Sequence, residues 1–92
     1  MTNATQTQQI EKDLREFIAA NLLYSTEGFA YADDASFLQE GIIDSLGVVE
    51  LVAFVQKQYG VTAEQSEVTP DNFDSVAKLA AFVRGKLAQS KA

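Results

Sequence analysis

The sequence predicts an all-α domain: a small antiparallel four-helix bundle with a short third helix and a long loop between the first and second helices. Three observations predict it. Apolar residues recur at spacings of three and four in the longer segments. No segment shows strand alternation or internal repetition. Asp, Ser, Pro and Gly fall where helices should start and stop. The 92 residues form one domain spanning 1–92, with flexible ends expected at about 1–7 and 88–92. A domain of this size has a thin core and little room for a deep enzyme cleft.

The first helix is marked by Ile10, Leu14, Phe17, Ile18 and Leu22, with Glu11, Lys12, Asp13, Arg15 and Glu16 outside and Gly28 just past its end. A connection of unusual length follows, from about Tyr24 to Asp44, with Phe29, Phe37, Leu38, Ile42 and Ile43 expected to pin it to the core. The second helix should begin at Asp44-Ser45, with Asp44 as its cap, and end at Gly60 as its C′ residue. Leu46, Val49, Val52, Ala53 and Gln56 form one stripe on it; Val48, Leu51 and Val55 add apolar surface beside that stripe, so it reads as a central helix with several neighbours. Val61 to Val68 is less periodic. Thr69-Pro70-Asp71-Asn72-Phe73 reads as one helical turn, with Thr69 as cap and Pro70 in first position. The last helix starts at a cap on Asp74 or Ser75 and carries Val76, Leu79, Ala80, Val83 and Leu87, with 88–92 frayed.

Composition excludes several functions. The chain has no Cys and no His, which removes thiol nucleophiles, disulfides, Ser-His and Cys-His pairs, and imidazole or thiolate metal sites. No catalytic residue and no metal site is expected. The net charge is −6, and eight acids against two bases before Ser45 hold all of the excess. Such a surface repels nucleic-acid phosphates and suits a basic protein partner. The first nine residues lack a signal-type apolar run, and the longest apolar run, Leu51 to Val55, cannot cross a membrane. The expectation is a soluble, monomeric, cytoplasmic protein without stable membrane insertion.

Gly41-Ile42-Ile43-Asp44-Ser45-Leu46 is the segment with chemical potential, because it sets a Ser on the first turn of a helix after an exposed loop. First-turn N–H groups and the helix dipole favour an anion there by about 0.3–1 kcal/mol. That suits a phosphate on Ser45 but does not make Ser45 a nucleophile, which needs a positioned base. Ser45 is therefore an acceptor for another enzyme or, on the tripeptide alone, merely part of an ordinary helix start.

The flanks decide between these. "SFLQEGIIDSLGVVELVAFVQKQYGV" and "VTPDNFDSVAKLAAFV" resemble the acyl carrier protein family, and the likeness covers Phe37 to Val83 and, with the first helix, nearly the whole chain. The second stretch is especially similar to carriers loaded by stand-alone AMP-forming ligases, D-alanyl and other aminoacyl carriers among them. The resemblance implies a covalent 4′-phosphopantetheine on Ser45, added by a phosphopantetheinyl transferase whose metal Asp44 helps to position. It implies that Leu46, Val49 and Glu50 meet partner enzymes, together with Ala53. It implies a non-catalytic carrier that holds acyl groups as thioesters and moves them between an acyl- or aminoacyl-loading ligase, a synthase or an acyltransferase, in fatty acid or lipid biosynthesis or a related pathway. Aminoacyl, D-alanyl or peptidyl cargo is the alternative within this class, and an unmodified helical interaction protein is the alternative outside it.

Where the family's fatty-acid-synthesis carriers often have an acid, this chain has Gly47, and Glu50 is the one acid between Leu46 and Tyr59. A specialised carrier with a dedicated partner is expected. Val61, Val68 and Phe73 are candidates for an acyl pocket, where each buried methylene would gain roughly 0.8 kcal/mol, but plain core roles explain them equally well. Glu27, Asp33, Asp34 and Glu40 lack calcium-loop spacing and read as a solvated acidic loop. Phe54 and Tyr59 read as packing residues at the core's edge.

Overall fold

A computed structural model describes residues 2–91, with side-chain placement from 10 to 89. The flexibility expected at 1–7 and 88–92 falls largely outside the described side chains. The described residues form α1 (Thr2–Phe17), α2 (Ser45–Tyr59), α3 (Pro70–Phe73) and α4 (Val76–Lys91), with no strand among them. None of these helices is long and apolar enough to cross a membrane.

The helix at the centre is α4, which packs against α1, α2 and α3. Its Val76, Leu79, Ala80 and Val83 are fully buried, and Ser75 caps it by accepting the Lys78 N–H at 3.0 Å. The expectation that α2 is the central helix is therefore corrected. The inner face of α2 is Gly47, Leu51 and Val55, at i, i+4 and i+8. Of the expected stripe, Leu46, Val49, Ala53 and Gln56 face solvent, with Leu46 67% and Val49 63% exposed, while Val52 is half-buried against the core. An all-round apolar helix has no single stripe from which to read its buried side.

The end of α1 also differs from expectation. Ile18–Leu22 widens into a π turn, and the Leu23 N–H donates to Ile18 O at 2.9 Å. Tyr24 then turns left-handed at φ 53°, where Gly28 was expected to end the helix; Gly28 lies out in the loop. At the far end of α2, Gly60 takes φ 70° and closes the helix as expected. Thr69 precedes α3, but its side chain makes no capping bond.

Two acids anchor the long loop. Asp33 receives both bonds from the Arg15 Nη1 of α1, at 2.8 and 2.7 Å, and its carbonyl accepts the Ala77 N–H of α4 at 2.8 Å. Asp74, between α3 and α4, accepts the Ser36 hydroxyl at 2.5 Å and the Leu38 N–H at 3.1 Å; its carbonyl accepts the Phe37 N–H at 2.7 Å. Phe37, Ile42 and Ile43 enter the core as expected, and Phe29 is half-buried. Leu38 is 59% exposed instead, because Asp74 holds its backbone on the surface.

Charged and aromatic pairs close the remaining seams. Glu11 of α1 pairs with Arg84 of α4, and Glu67, in a 3₁₀ turn at Gln65–Glu67, pairs with Lys86 at 2.8 Å. The Lys86 ammonium and the Glu64 N–H together hold the Glu67 carboxyl below its ordinary value. Phe17 stacks on Phe54 at 4.2 Å, and Tyr59 meets Phe54 edge-on at 6.2 Å. Phe54 and Tyr59 thus lie at the core's edge.

The Tyr59 hydroxyl donates to Asp13 at 2.8 Å. Partial burial, then the Asp13 carboxylate, raise the phenol above its ordinary 10.0. A raised folded value means that this stabilisation is complete below pH 10 and is lost as pH climbs towards the folded value. Tyr59→Phe should cost about 1 kcal/mol or less at neutral pH, about 4–8 °C per kcal/mol in a domain of this size. In paired thermal melts the gap between the two chains should close above pH 10; a gap that stays constant through that range would contradict the assignment.

Candidate functional site

The local chain shape sets Ser45 at a corner. Gly41 takes φ 65°, a turn that only glycine makes without strain, and the Ile42 N–H donates back to Phe37 O at 2.8 Å. Ile42 and Ile43 then dive into the core. Asp44 follows in extended conformation and caps α2: its Oδ1 accepts the Gly47 N–H at 3.0 Å, and its carbonyl accepts the Val48 N–H at 3.1 Å. Ser45 is the next residue, exposed, at the positive end of the α2 dipole. The cap takes the Gly47 N–H, and the earlier N–H groups of the turn have no intrahelical acceptor. A phosphodiester on Ser45 fits that donor set.

Nothing here ionises the hydroxyl. The chain has no His or Cys, and the neighbouring Asp44 carboxylate is engaged as the cap. Among the described residues no group of three or more acids, His or Cys is placed to hold a metal ion. In the acidic loop, the Asp33 carboxylate is bound to Arg15.

Two open clefts border Ser45. Ser45 joins Phe37, Leu38, Val48, Val49, Val68, Pro70 and Phe73 in lining an apolar cleft of about 320 Å³. Of the three candidate pocket residues, Val68 and Phe73 line this cleft. Val61 does not: it is buried under the end of α2, where its N–H donates to Val55 O at 3.3 Å. A second cleft of about 440 Å³ is lined by Leu22, Tyr24, Ile42, Ile43, Asp44, Leu46, Gly47 and Glu50, with Asn21 and Gly41. Leu46, Val49, Glu50 and Ala53 all lie on the exposed side of α2.

Sequence reasoning missed Tyr24, 82% exposed at the lip of the second cleft, and Leu38 beside Ser45. An aromatic residue directly after a helix end was the one available signal for Tyr24. It also read Gly47 as a lost charge. The structure shows a steric requirement: a Cβ at this position would lie 2.9 Å from Ile43 Cβ, so α2 packs on the loop through bare backbone.

Comparison with known proteins places these features. A family profile described as a phosphopantetheine attachment site matches residues 12–83. The D-alanyl carrier protein of Abiotrophia defectiva is 31% identical over 55 residues, which cover 60% of this chain and 70% of that protein. Polyketide-8 synthase acyl carrier protein 2 of Streptomyces avermitilis is 32% identical over 69 residues, 75% of this chain and 77% of that one. A chain in a solved structure described as a crystal structure of an FAD-dependent dehydrogenase is similar as well, with a TM-score of 0.65 and 36% identity over 75% of this chain and 96% of that chain.

Gly47→Ala isolates the packing at the site. Alanine favours a helix by about 1 kcal/mol over glycine. The clash with Ile43 involves a Cβ that cannot swing away. The expected net result is a loss of about 1–3 kcal/mol in chemical denaturation, as in overpacked cores. A stabilised variant would show that the loop yields at no cost.

Proposed function

The chain belongs to the phosphopantetheine attachment family, as a non-catalytic carrier with a covalent 4′-phosphopantetheine, and on that premise we propose that Ser45 is the residue that bears the arm. One observation carries the proposal: Ser45 is an exposed hydroxyl on a capped helix start, with unpaired first-turn donors beside it and an apolar cleft at its foot. When bound, the arm supplies the thiol that this chain lacks and holds cargo as a thioester. The chain's own part is to hold Ser45 forward, with Asp44 beside it for the transferase's metal, and to offer Leu46, Val49, Glu50 and Ala53 to partner enzymes.

The cargo best supported is an uncharged acyl group, since the cleft at Ser45 is lined mainly by apolar side chains and its one acid, Asp74, is engaged by Ser36 and Leu38. Aminoacyl cargo is the second reading, favoured by the similarity to a D-alanyl carrier. Partners are a phosphopantetheinyl transferase and a dedicated loading ligase, synthase or acyltransferase. The similar chain in the dehydrogenase structure adds a flavin-dependent dehydrogenase to the partners to test. The single acid on α2, Glu50, supports a specialised carrier over a general fatty-acid-synthesis one. Action as a monomer in the cytoplasm belongs to the same reading.

Incubation with coenzyme A, Mg²⁺ and a promiscuous phosphopantetheinyl transferase should add the mass of one phosphopantetheine to the wild type and none to Ser45→Ala, by intact-mass spectrometry. A Ser45→Ala chain that still gains the mass would move the attachment elsewhere; a wild type that gains nothing would leave an interaction protein of carrier fold.

A further inference from the structure

Between Leu46 and Tyr59, α2 carries one acid and one base, Glu50 and Lys57. Both are exposed. Among the described residues neither is in an ion pair, whereas Lys12, Arg15, Arg84 and Lys86 are each held by an acid. Seven positions of helix separate the two by about 10 Å, too far for them to pair with each other. No opposite charge stands three or four positions from either one. Exposed Ala53 lies between them, and all three line one open hollow with the half-buried Phe17 and Phe54. The surplus acids of the chain lie before Ser45, so the outer side of α2 is a neutral strip on a chain of net charge −6.

We propose that the chain pairs with a second copy of itself through this side of α2, as a weak and reversible antiparallel dimer. The strip is complementary to itself. A two-fold axis crossing α2 at right angles near Ala53 sets Glu50 opposite the partner's Lys57 and Lys57 opposite the partner's Glu50, both on the same flank of the helix pair. One contact therefore satisfies two ion pairs that the single chain leaves unmade. The small Ala53 lets the two helix axes approach closely. Leu46 falls opposite the partner's Gly60, where no side chain obstructs it. One helix face is smaller than a standard interface, so the association is weak. The two Ser45 residues stand at opposite ends of the pair, about 25 Å apart along the helix axis. The pair covers Leu46, Val49, Glu50 and Ala53, so it is a resting form that must part before the acting monomer meets a partner enzyme. That consequence rests on the carrier reading; the pairing itself does not.

The test is sedimentation equilibrium of the full chain at low salt, over concentrations from about 10 μM to 1 mM, the range in which a small interface dissociates. The wild type should pass from monomer to dimer across that range, and no further. Glu50→Lys sets two lysines opposite each other in both places, and Lys57→Glu sets two glutamates. Each should weaken pairing at least about fivefold, and both positions are exposed, so the fold is retained. The double variant Glu50→Lys with Lys57→Glu restores both ion pairs and should pair like the wild type. An equimolar mixture of the two single variants should form a mixed dimer at concentrations where each alone is monomeric. A wild type that stays monomeric to about 1 mM, single variants that pair like the wild type, or a double variant and a mixture that show no rescue would each overturn the dimer. Arm addition is followed separately on the wild type. A chain that pairs but never accepts the arm overturns the carrier reading and the resting role, while a chain that accepts the arm but never pairs overturns the dimer alone.

Discussion

The arrangement of this domain depends on one carboxylate. Asp74 closes α3 and at the same time accepts from Ser36 and Leu38, while its backbone carbonyl takes the Phe37 N–H. A connection of some twenty residues without regular structure would ordinarily wander. Here its middle is fixed to the junction of α3 and α4, and Phe37 is driven into the core beneath. Asp33 adds a second anchor to α1 and α4 through Arg15 and Ala77. From these two points the chain has only a short reach to Gly41, Ile42 and Ile43. Ser45 therefore inherits its position from contacts made by residues far away in sequence.

The thin core explains the division of labour along α2. A domain of this size buries few layers, so a helix with apolar residues on every side must leave one side exposed. Gly47, Leu51 and Val55 serve the core, and Leu46, Val49 and Ala53 remain outside. Exposed large apolar residues cluster at this end of the molecule, with Leu38 and Tyr24 beside them. That distribution suits a carrier, which must be gripped by other proteins near its acceptor serine and needs no catalytic group of its own. The absence of His and Cys is consistent with the same division.

Much of this was legible in the sequence, for local reasons. The Asp44 cap, the Gly60 terminus, Pro70 at the start of α3 and the Ser75 start of α4 are set by residues within a few positions of the feature they form. Membership of the carrier family was legible because a family pattern runs over most of the chain, and the proposal of Ser45 as acceptor rests on its place in that pattern. What escaped was set by contacts at a distance. The buried face of α2 was obscured because no polar stripe marks the outer one. The exposure of Leu38 follows from Asp74, 36 positions away. The role of Gly47 follows from Ile43 lying against it, which no pattern of hydrophobicity records. The π turn and the left-handed Tyr24 have no sequence signal beyond an aromatic residue at a helix end.

If Ser45 bears the arm, as proposed, the anchored loop, more than the serine itself, makes it an acceptor. The most direct measurement is the initial rate of phosphopantetheine transfer to Asp74→Ala at limiting carrier concentration, with amide hydrogen exchange followed at residues 36–42. Faster exchange through that segment, retained helix content, and a transfer rate lower by about tenfold, the equivalent of about 1.4 kcal/mol, are expected. A chain whose loop exchanges freely yet is modified at the wild-type rate would contradict it.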